Sequence, residues 1–175
     1  MSILIRDVRE HELDSILALN NAAGPTILKL DQAQLAFCHD EAAYFRVAEV
    51  DGAVVGFLIA FDQDSSYRSS NYLWFKQQYP SFVYIDRVVI ASAQRGTGVG
   101  RVFYADITSF AEVRAPLLAC EVFLEPRNDV ALVFHGTYGF QEVGQRVMEE
   151  TGLRVSMLVK ELTSYPWVKS RWLDG

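Results

Sequence analysis

The sequence predicts a mixed α/β fold, and three observations carry the prediction. Strand-like and helix-like segments follow one another in the order β, two helices, a β meander, then β-α-β-α-β-β. Asp51-Gly52 stands between two apolar runs as a two-residue hairpin signal. A turn with three glycines, Arg95-Gly96-Thr97-Gly98-Val99-Gly100-Arg101, joins a β-branched run to an amphipathic one. With 175 residues, half of them hydrophobic, the chain is long enough to bury one core, and a single domain over residues 1–175 is expected.

Ile3 to Arg6 reads as a short first strand. Asp7 is placed to cap a helix whose Leu13, Ile16, Leu17 and Asn20 share a face, and the stretch from Asn20 to Pro25 breaks it. A second helix fits Asp31 to His39. Tyr44 to Val50 and Ala53 to Phe61 flank the Asp51-Gly52 turn as a hairpin. The polar stretch from Asp62 to Ser81 carries Tyr67, Tyr72, Trp74, Phe75 and Tyr79, and reads as a long excursion of the functional kind.

Phe82 to Ile90 is a central strand interrupted only by Asp86-Arg87. Val99, Val102, Phe103, Ile107, Phe110 and Val113 then follow helical spacing up to Pro116. Leu117 to Leu124 is the next strand. Asn128 or Asp129 can cap a helix over Ala131 to Tyr138 that stops at Gly139, and Gln141 to Val147 and Leu153 to Val159 make two last strands.

Charge and composition narrow the function. Sixteen basic against 22 acidic residues leave a net charge of −6, which argues against the phosphate-backbone grip of a nucleic-acid binder. No apolar run reaches the length of a membrane helix, and MSILIRDVREHELD lacks the basic and apolar regions of a signal peptide. A cytoplasmic protein without membrane partners is expected. Cys38 and Cys120 form no CxxC pair and read as buried thiols. His11, His39 and His135 show no metal-ligand spacing, so no catalytic metal is expected.

The glycine turn is an anion site in its own right, because unpaired N–H groups and the positive end of a helix dipole converge there. It is not a Walker loop, since Gly100 is followed by Arg101-Val102, and its GxGxG spacing in mid-chain does not suit a dinucleotide fold. Arg95-Gly96-Thr97-Gly98-Val99-Gly100 resembles the Q/R-x-x-G-x-G/A signature of the GNAT acyl-CoA N-acyltransferases, with Val88-Val89-Ile90 at the family's spacing before it. Downstream, Asn128, Ala131, Phe134, His135, Gly139 and Phe140 resemble the family's N-x-x-A-x-x-[LF]-[YH]-x-x-x-G-F segment.

The resemblance implies a mixed, mostly antiparallel sheet splayed between its fourth and fifth strands, with helices on both faces and acetyl-CoA as the acyl donor. On the family's pattern Val88, Val89 and Ile90 pair with the pantetheine amides, and a backbone N–H near Val89 or Ile90 polarises the thioester carbonyl. Gly96, Thr97, Gly98, Val99, Gly100 and Arg101 cradle the pyrophosphate, Arg95 and Arg101 add positive charge, and Asn128 and Phe134 lie against the cofactor arm. Asn128 is equally explained as a helix cap.

Aminolysis needs a neutral amine, so a proton acceptor is required. Glu121 is the first choice and Asp86 the second, each being a carboxylate in an apolar strand; a structural ion pair with a neighbour such as Arg87 or Arg114 explains both as well. His135 stands where many members carry the tyrosine that protonates the leaving thiolate; some branches, including those resembling phosphinothricin acetyltransferases, have His there instead, and either an acid or sulfur-orienting role or a packing role fits. The expected reaction is transfer of an acetyl group to the primary amine of a small molecule or amino-acid-like acceptor. A protein N-terminal or lysine acceptor, or a non-catalytic CoA-binding module, are the alternatives. The resemblance frames the acceptor with Asn20 to Leu28 and Asp62 to Phe82. The aromatic C-terminal segment from Ser164 to Trp172 either docks on a second copy, giving a homodimer, or packs on its own sheet.

Overall fold

Seven strands in the order β1-β2-β3-β4-β5-β7-β6 make up the sheet of a computed structural model that describes every residue from Met1 to Gly175. Pairing is antiparallel between β1 and β2, β2 and β3, β5 and β7, and β6 and β7, and parallel between β4 and β5. The residues group into two compact units, Met1–Phe61 with Ile85–Ile107, and Asp62–Tyr84 with Thr108–Gly175. No helix is long and apolar enough to cross a membrane.

In the first unit β1 (Ile3–Asp7) pairs with β2 (Tyr44–Val50), and β2 turns into β3 (Ala53–Asp62). Asp51 and Gly52 both take positive φ, 49° and 84°, as a type I′ hairpin demands. Asp7 does not cap a helix. It closes β1, Arg9 precedes a 3-10 turn over Glu10–Glu12, and α1 (Leu13–Asn21) begins after it with Ile16 and Asn20 buried. Arg6 explains the delay: its guanidinium pairs with Glu12 at 2.6 Å and Glu49 at 2.9 Å, drawing the chain back along β1 before it can coil. The α2 helix (Gln32–Glu41) starts from a capping box between Asp31 and Gln34.

The central strand, β4 (Val83–Ile90), contributes Val83 and Tyr84 to the second unit and its remaining residues to the first. It leads through the glycine turn into α4 (Val99–Ala111), which buries Val99, Phe103, Tyr104, Ile107 and Ala111. This helix ends short of the predicted limit: Arg114 N–H turns back to the Ala111 carbonyl, and Val113, expected on the apolar face, is exposed.

The second unit contains a helix that the hydrophobic pattern did not announce. Within the excursion after β3, α3 (Ser70–Gln78) is capped by the Ser69 hydroxyl and buries Tyr72 and Phe75. Its rings pack on Phe82 and Tyr84, with centroids 5.7 to 6.4 Å apart. The strands β5 (Leu117–Phe123), β6 (Gln141–Val147) and β7 (Arg154–Glu161) follow, with α5 (Asp129–Thr137) between β5 and β6. At the C-terminus a short helix, α6 (Tyr165–Val168), runs into a wider helical turn over Lys169–Leu173. Trp167 and Trp172 are exposed there, so these two rings do not pack back on the chain's own sheet.

Candidate active site

Ile85 to Ile90 and the turn that follows belong to the first unit. Alternation along β4 leaves Asp86, Val88 and Ile90 half-buried on one face while Arg87 and Val89 are buried on the other. After β4, Gly96 and Gly98 adopt φ of +79° and +96°, which a side chain would strain. The first bond of the α4 ladder runs from Val102 N–H to the Gly98 carbonyl at 3.2 Å, so the N–H groups of Val99, Gly100 and Arg101 precede the ladder. A Cβ at Gly96 or Gly98 would meet nothing within 4 Å, and Arg95 and Arg101 are exposed beside them. Open backbone, a helix N-terminus and two arginines fit a pyrophosphate.

Asp86 forms an ion pair. Arg87 Nε donates to its carboxylate at 2.7 Å, with both side chains 6% exposed. The same guanidinium donates through Nη1 to the Asn20 side chain and to the Leu28 carbonyl, each at 2.8 Å. Arg87 therefore ties the segment after α1 to β4, and of the two roles open to Asp86 in sequence the structure forms the pairing with Arg87.

Glu121 lies in the second unit on β5. The Tyr84 hydroxyl donates to its Oε2 at 2.7 Å, and Val83 and Tyr84 pair in parallel with Leu118 and Ala119, which sets the register of that contact. Glu121 stands opposite Met157 of β7, and Met157 stands opposite Gly144 of β6. Cross-strand partners project to one face, so Tyr84, Glu121 and the empty Cβ position of Gly144 share the face on which α3 packs. A Cβ there would come within 3.1 Å of the Trp74 ring.

In the same unit Asn128 caps α5, its Oδ1 accepting from Ala131 N–H at 3.1 Å. His135 is 8% exposed, lies edge-on to Phe134 and Phe140, and holds Nδ1 2.7 Å from the Ala131 carbonyl. A carbonyl only accepts, so Nδ1 carries the proton and Nε2 of the neutral ring does not. Burial pushes the imidazole below its usual range, against the opposing effect of that hydrogen bond. Near pH 7 the ring can accept a proton at Nε2 but is poorly suited to donate one. Cys38 and Cys120 are buried free thiols; burial chiefly, with Asp86 nearby, pushes Cys38 up to about 12.

The sequence profile of the Acetyltransferase (GNAT) family matches residues 7–140, most of the chain and both of its motif-bearing segments. The chain belongs to the GNAT acetyltransferase family. It is accordingly an acetyltransferase whose acyl donor is acetyl-CoA. Solved GNAT-type structures superpose over nearly its whole length. The ribosomal-protein-S18-alanine N-acetyltransferase from Escherichia coli matches with a TM-score of 0.71 at 13% identity, over 92% of this chain and 94% of that one. A spermidine N-acetyltransferase chimera from Vibrio cholerae SpeG and hSSAT gives 0.71 at 16%, over 95% and 99%. The acetyltransferase yncA from Salmonella typhimurium, with its cofactor acetyl-CoA, gives 0.67 at 18%, over 93% and 95%. No curated protein matches the chain in sequence.

Sequence reasoning singled out Glu121, Asp86 and His135 and weighed Arg87 as a partner of Asp86, but missed the Tyr84 hydroxyl on Glu121 and the Ala131 carbonyl at His135 Nδ1. Tyr84 was legible as sharing a strand face with Asp86; its hydroxyl's reach to Glu121 depends on a register between distant strands. The Ser69 cap followed by Tyr72, Phe75 and Tyr79 was the available signal for α3.

Proposed function

We propose that this GNAT enzyme transfers the acetyl group of acetyl-CoA directly to the primary amine of a small molecule, with Glu121 as the proton acceptor. The carrying observation is the Tyr84–Glu121 hydrogen bond, which fixes a carboxylate on a strand face that α3 covers. A helix over that face suits a compact acceptor better than an extended polypeptide. The fold is shared equally with a spermidine acetyltransferase and with a protein alanine acetyltransferase, so the helix and not the fold supports this choice.

When bound, acetyl-CoA supplies an activated thioester carbonyl. Val88 to Ile90 present backbone groups to the pantetheine arm, and an N–H near Val89 or Ile90 polarises the carbonyl. Gly96 to Arg101, with Arg95, hold the pyrophosphate; Asn128 and Phe134 line the cofactor arm. Glu121 takes a proton from the amine, directly or through one water, as the nitrogen bonds to the acetyl carbon and the carbon–sulfur bond breaks. Sulfur leaves with the bonding electron pair, and a thiolate of pKa about 8.5 needs modest help to leave. His135, neutral at Nε2, orients the departing sulfur's surroundings and is not the proton source. Asp86 acts through its pairing with Arg87 and holds β4 and the Asn20–Leu28 segment in place.

The test is CoA release from acetyl-CoA against a panel of small amines and peptides. Glu121→Gln is expected to lower turnover by roughly 10²–10⁴-fold with acetyl-CoA binding retained. Wild-type turnover in that variant, or acetylation of peptides alone, overturns the reading.

A further inference from the structure

The link from α1 to α2, Ala22 to Asp31, is held shut by side-chain amides of the first unit. Asn21 pairs with Leu30 as a strand partner would: its Oδ1 accepts from Leu30 N–H and its Nδ2 donates to the Leu30 carbonyl, each at 2.9 Å. Asn20, 1% exposed, uses both ends of its amide. Nδ2 donates to the Leu28 carbonyl at 3.1 Å and to Asn21 Oδ1 at 3.0 Å, and Oδ1 accepts from Arg87 Nη1 at 2.8 Å. Arg87 Nη1 reaches the Leu28 carbonyl as well, at 2.8 Å, while its Nε is on Asp86. The Leu28 carbonyl thus takes two donors from two elements, α1 and β4. Short of these fixed points the link turns on itself, with Gly24 at φ +103° and Ile27 N–H on the Gly24 carbonyl. A cleft of about 470 Å³ opens against it, with Leu28 itself in the lining.

The end of β4 has its own support. Ala91 N–H donates to the Val55 carbonyl at 2.8 Å, and Gly56 of β3 comes so near that a Cβ there would fall 2.6 Å from the Val89 carbonyl oxygen. Dependence therefore runs one way: the loop takes its place from β4, through a guanidinium whose neighbours in the strand are Asp86 and Val88. Satisfied buried polar networks of this kind are rigid.

Resting on the proposed placement of the acyl donor along Val88 to Ile90, we infer that Arg87, Asn20 and Asn21 are positioning residues for the acceptor. The loop from Ala22 to Lys29 is one wall against which the amine is presented, and the clamp fixes that wall relative to the donor strand. Attack on a thioester requires the nitrogen within about 3–3.5 Å of the carbonyl carbon. A wall tied to the residue before Val88 shares its reference point with the donor. Loosening the clamp weakens use of the acceptor and spares the donor, whose contacts are backbone groups that β3 supports.

Two variants test this without leaving Asp86 unpaired. Asn21→Ala removes a half-buried side chain outside the ion pair. Arg87→Lys keeps a charge beside Asp86 but lacks the planar fork that serves Asp86, Asn20 and Leu28 together. Steady-state kinetics use the fastest acceptor among ethanolamine, phenethylamine, spermidine and an alanine-initiated pentapeptide, so the clamp is read whichever class the enzyme prefers. In both variants the KM for the acceptor should rise roughly fivefold or more while the KM for acetyl-CoA stays within about twofold. Equal rises in the two constants overturn the inference, and so does a rise for acetyl-CoA alone.

A second readout needs no turnover. Lys29 is exposed and the bond after it leads into the clamped N–H of Leu30, so trypsin should cut there slowly in the wild type. Cleavage at Lys29, measured by mass spectrometry against cleavage at the exposed Arg171, should quicken roughly tenfold in either variant as the local opening becomes easier. Unchanged cleavage overturns the clamp, and quicker cleavage with an unchanged acceptor KM overturns its role as a wall. Gly56→Ala reports on the donor strand separately, because it presses on Val89 without touching the clamp. Unchanged acetyl-CoA affinity in that variant, by calorimetric titration, overturns the inference at its premise; lowered affinity there, with equal KM rises in the clamp variants, overturns the clamp alone.

Discussion

The hydroxyl of Tyr84 and the carboxylate of Glu121 meet at 2.7 Å across the parallel pair formed by the start of β4 and the middle of β5. A phenol at this point orients one carboxylate oxygen. Tyr84→Phe keeps the ring that packs on Tyr72 and Phe75 and removes only the donor. Hydrogen bonds to charged groups contribute about 1.5–3 kcal/mol, so turnover should fall by roughly ten- to a hundredfold while the KM for acetyl-CoA stays put. Steady-state kinetics with acetyl-CoA varied checks both halves of this expectation.

The glycine turn makes a separate prediction. Gly98 holds φ at +96° with open space where a side chain would stand. Gly98→Val suffers from backbone strain and from bulk placed on the surface assigned to the pyrophosphate. Acetyl-CoA affinity should drop at least tenfold, read by calorimetric titration, and a variant with unchanged affinity would exclude the turn from cofactor binding.

His135 titrates below its usual range in the folded chain because it is buried. Between that lowered value and the ordinary value near 6.5, the unfolded chain binds a proton that the folded chain refuses. The stabilisation is therefore complete above about pH 6.5 and declines as pH falls through the folded-state value. Urea unfolding at neutral and mildly acidic pH should show this decline in the wild type and a smaller one in His135→Gln.

A second acid-side dependence comes from the junction of β1 with α1. The Arg6 guanidinium, by hydrogen bonding first and charge second, holds Glu12 down at about 2. Stability from this pair is fully present above the unfolded carboxylate value near 4.5 and is lost as pH falls towards 2. Glu12→Gln should cost about 1–3 kcal/mol near neutral pH and flatten the acid limb of the stability curve.

Local chemistry made much of the fold legible. The Asp51-Gly52 hairpin, the extent of β2 and β6, the Asn128 cap and the glycine turn follow from residues within a few positions of one another, and the structure forms each. The α3 helix escaped because two of its four buried residues, Ser70 and Asn71, are polar and stand beside the aromatic Tyr72 and Phe75, so helical periodicity was faint and the segment resembled a loop. The entry into α1 was displaced by Arg6, whose partner Glu49 lies 43 residues away. The same limit applies to the candidate site: the carboxylates were visible one at a time, while the Tyr84–Glu121 contact arises from strand register across distant parts of the chain.

The α3 helix has an evolutionary consequence. Both segments that mark the chain as an acetyltransferase, residues 95–101 and 128–140, lie outside the stretch that builds this helix. With the acceptor placed at the Glu121 face as proposed, substitutions in this helix would redirect which amine is modified while leaving the hallmarks of the chemistry untouched. Sequences that look equivalent by those hallmarks can diverge in their preferred metabolite, and the bridge between β3 and β4 is the region to compare when sorting them.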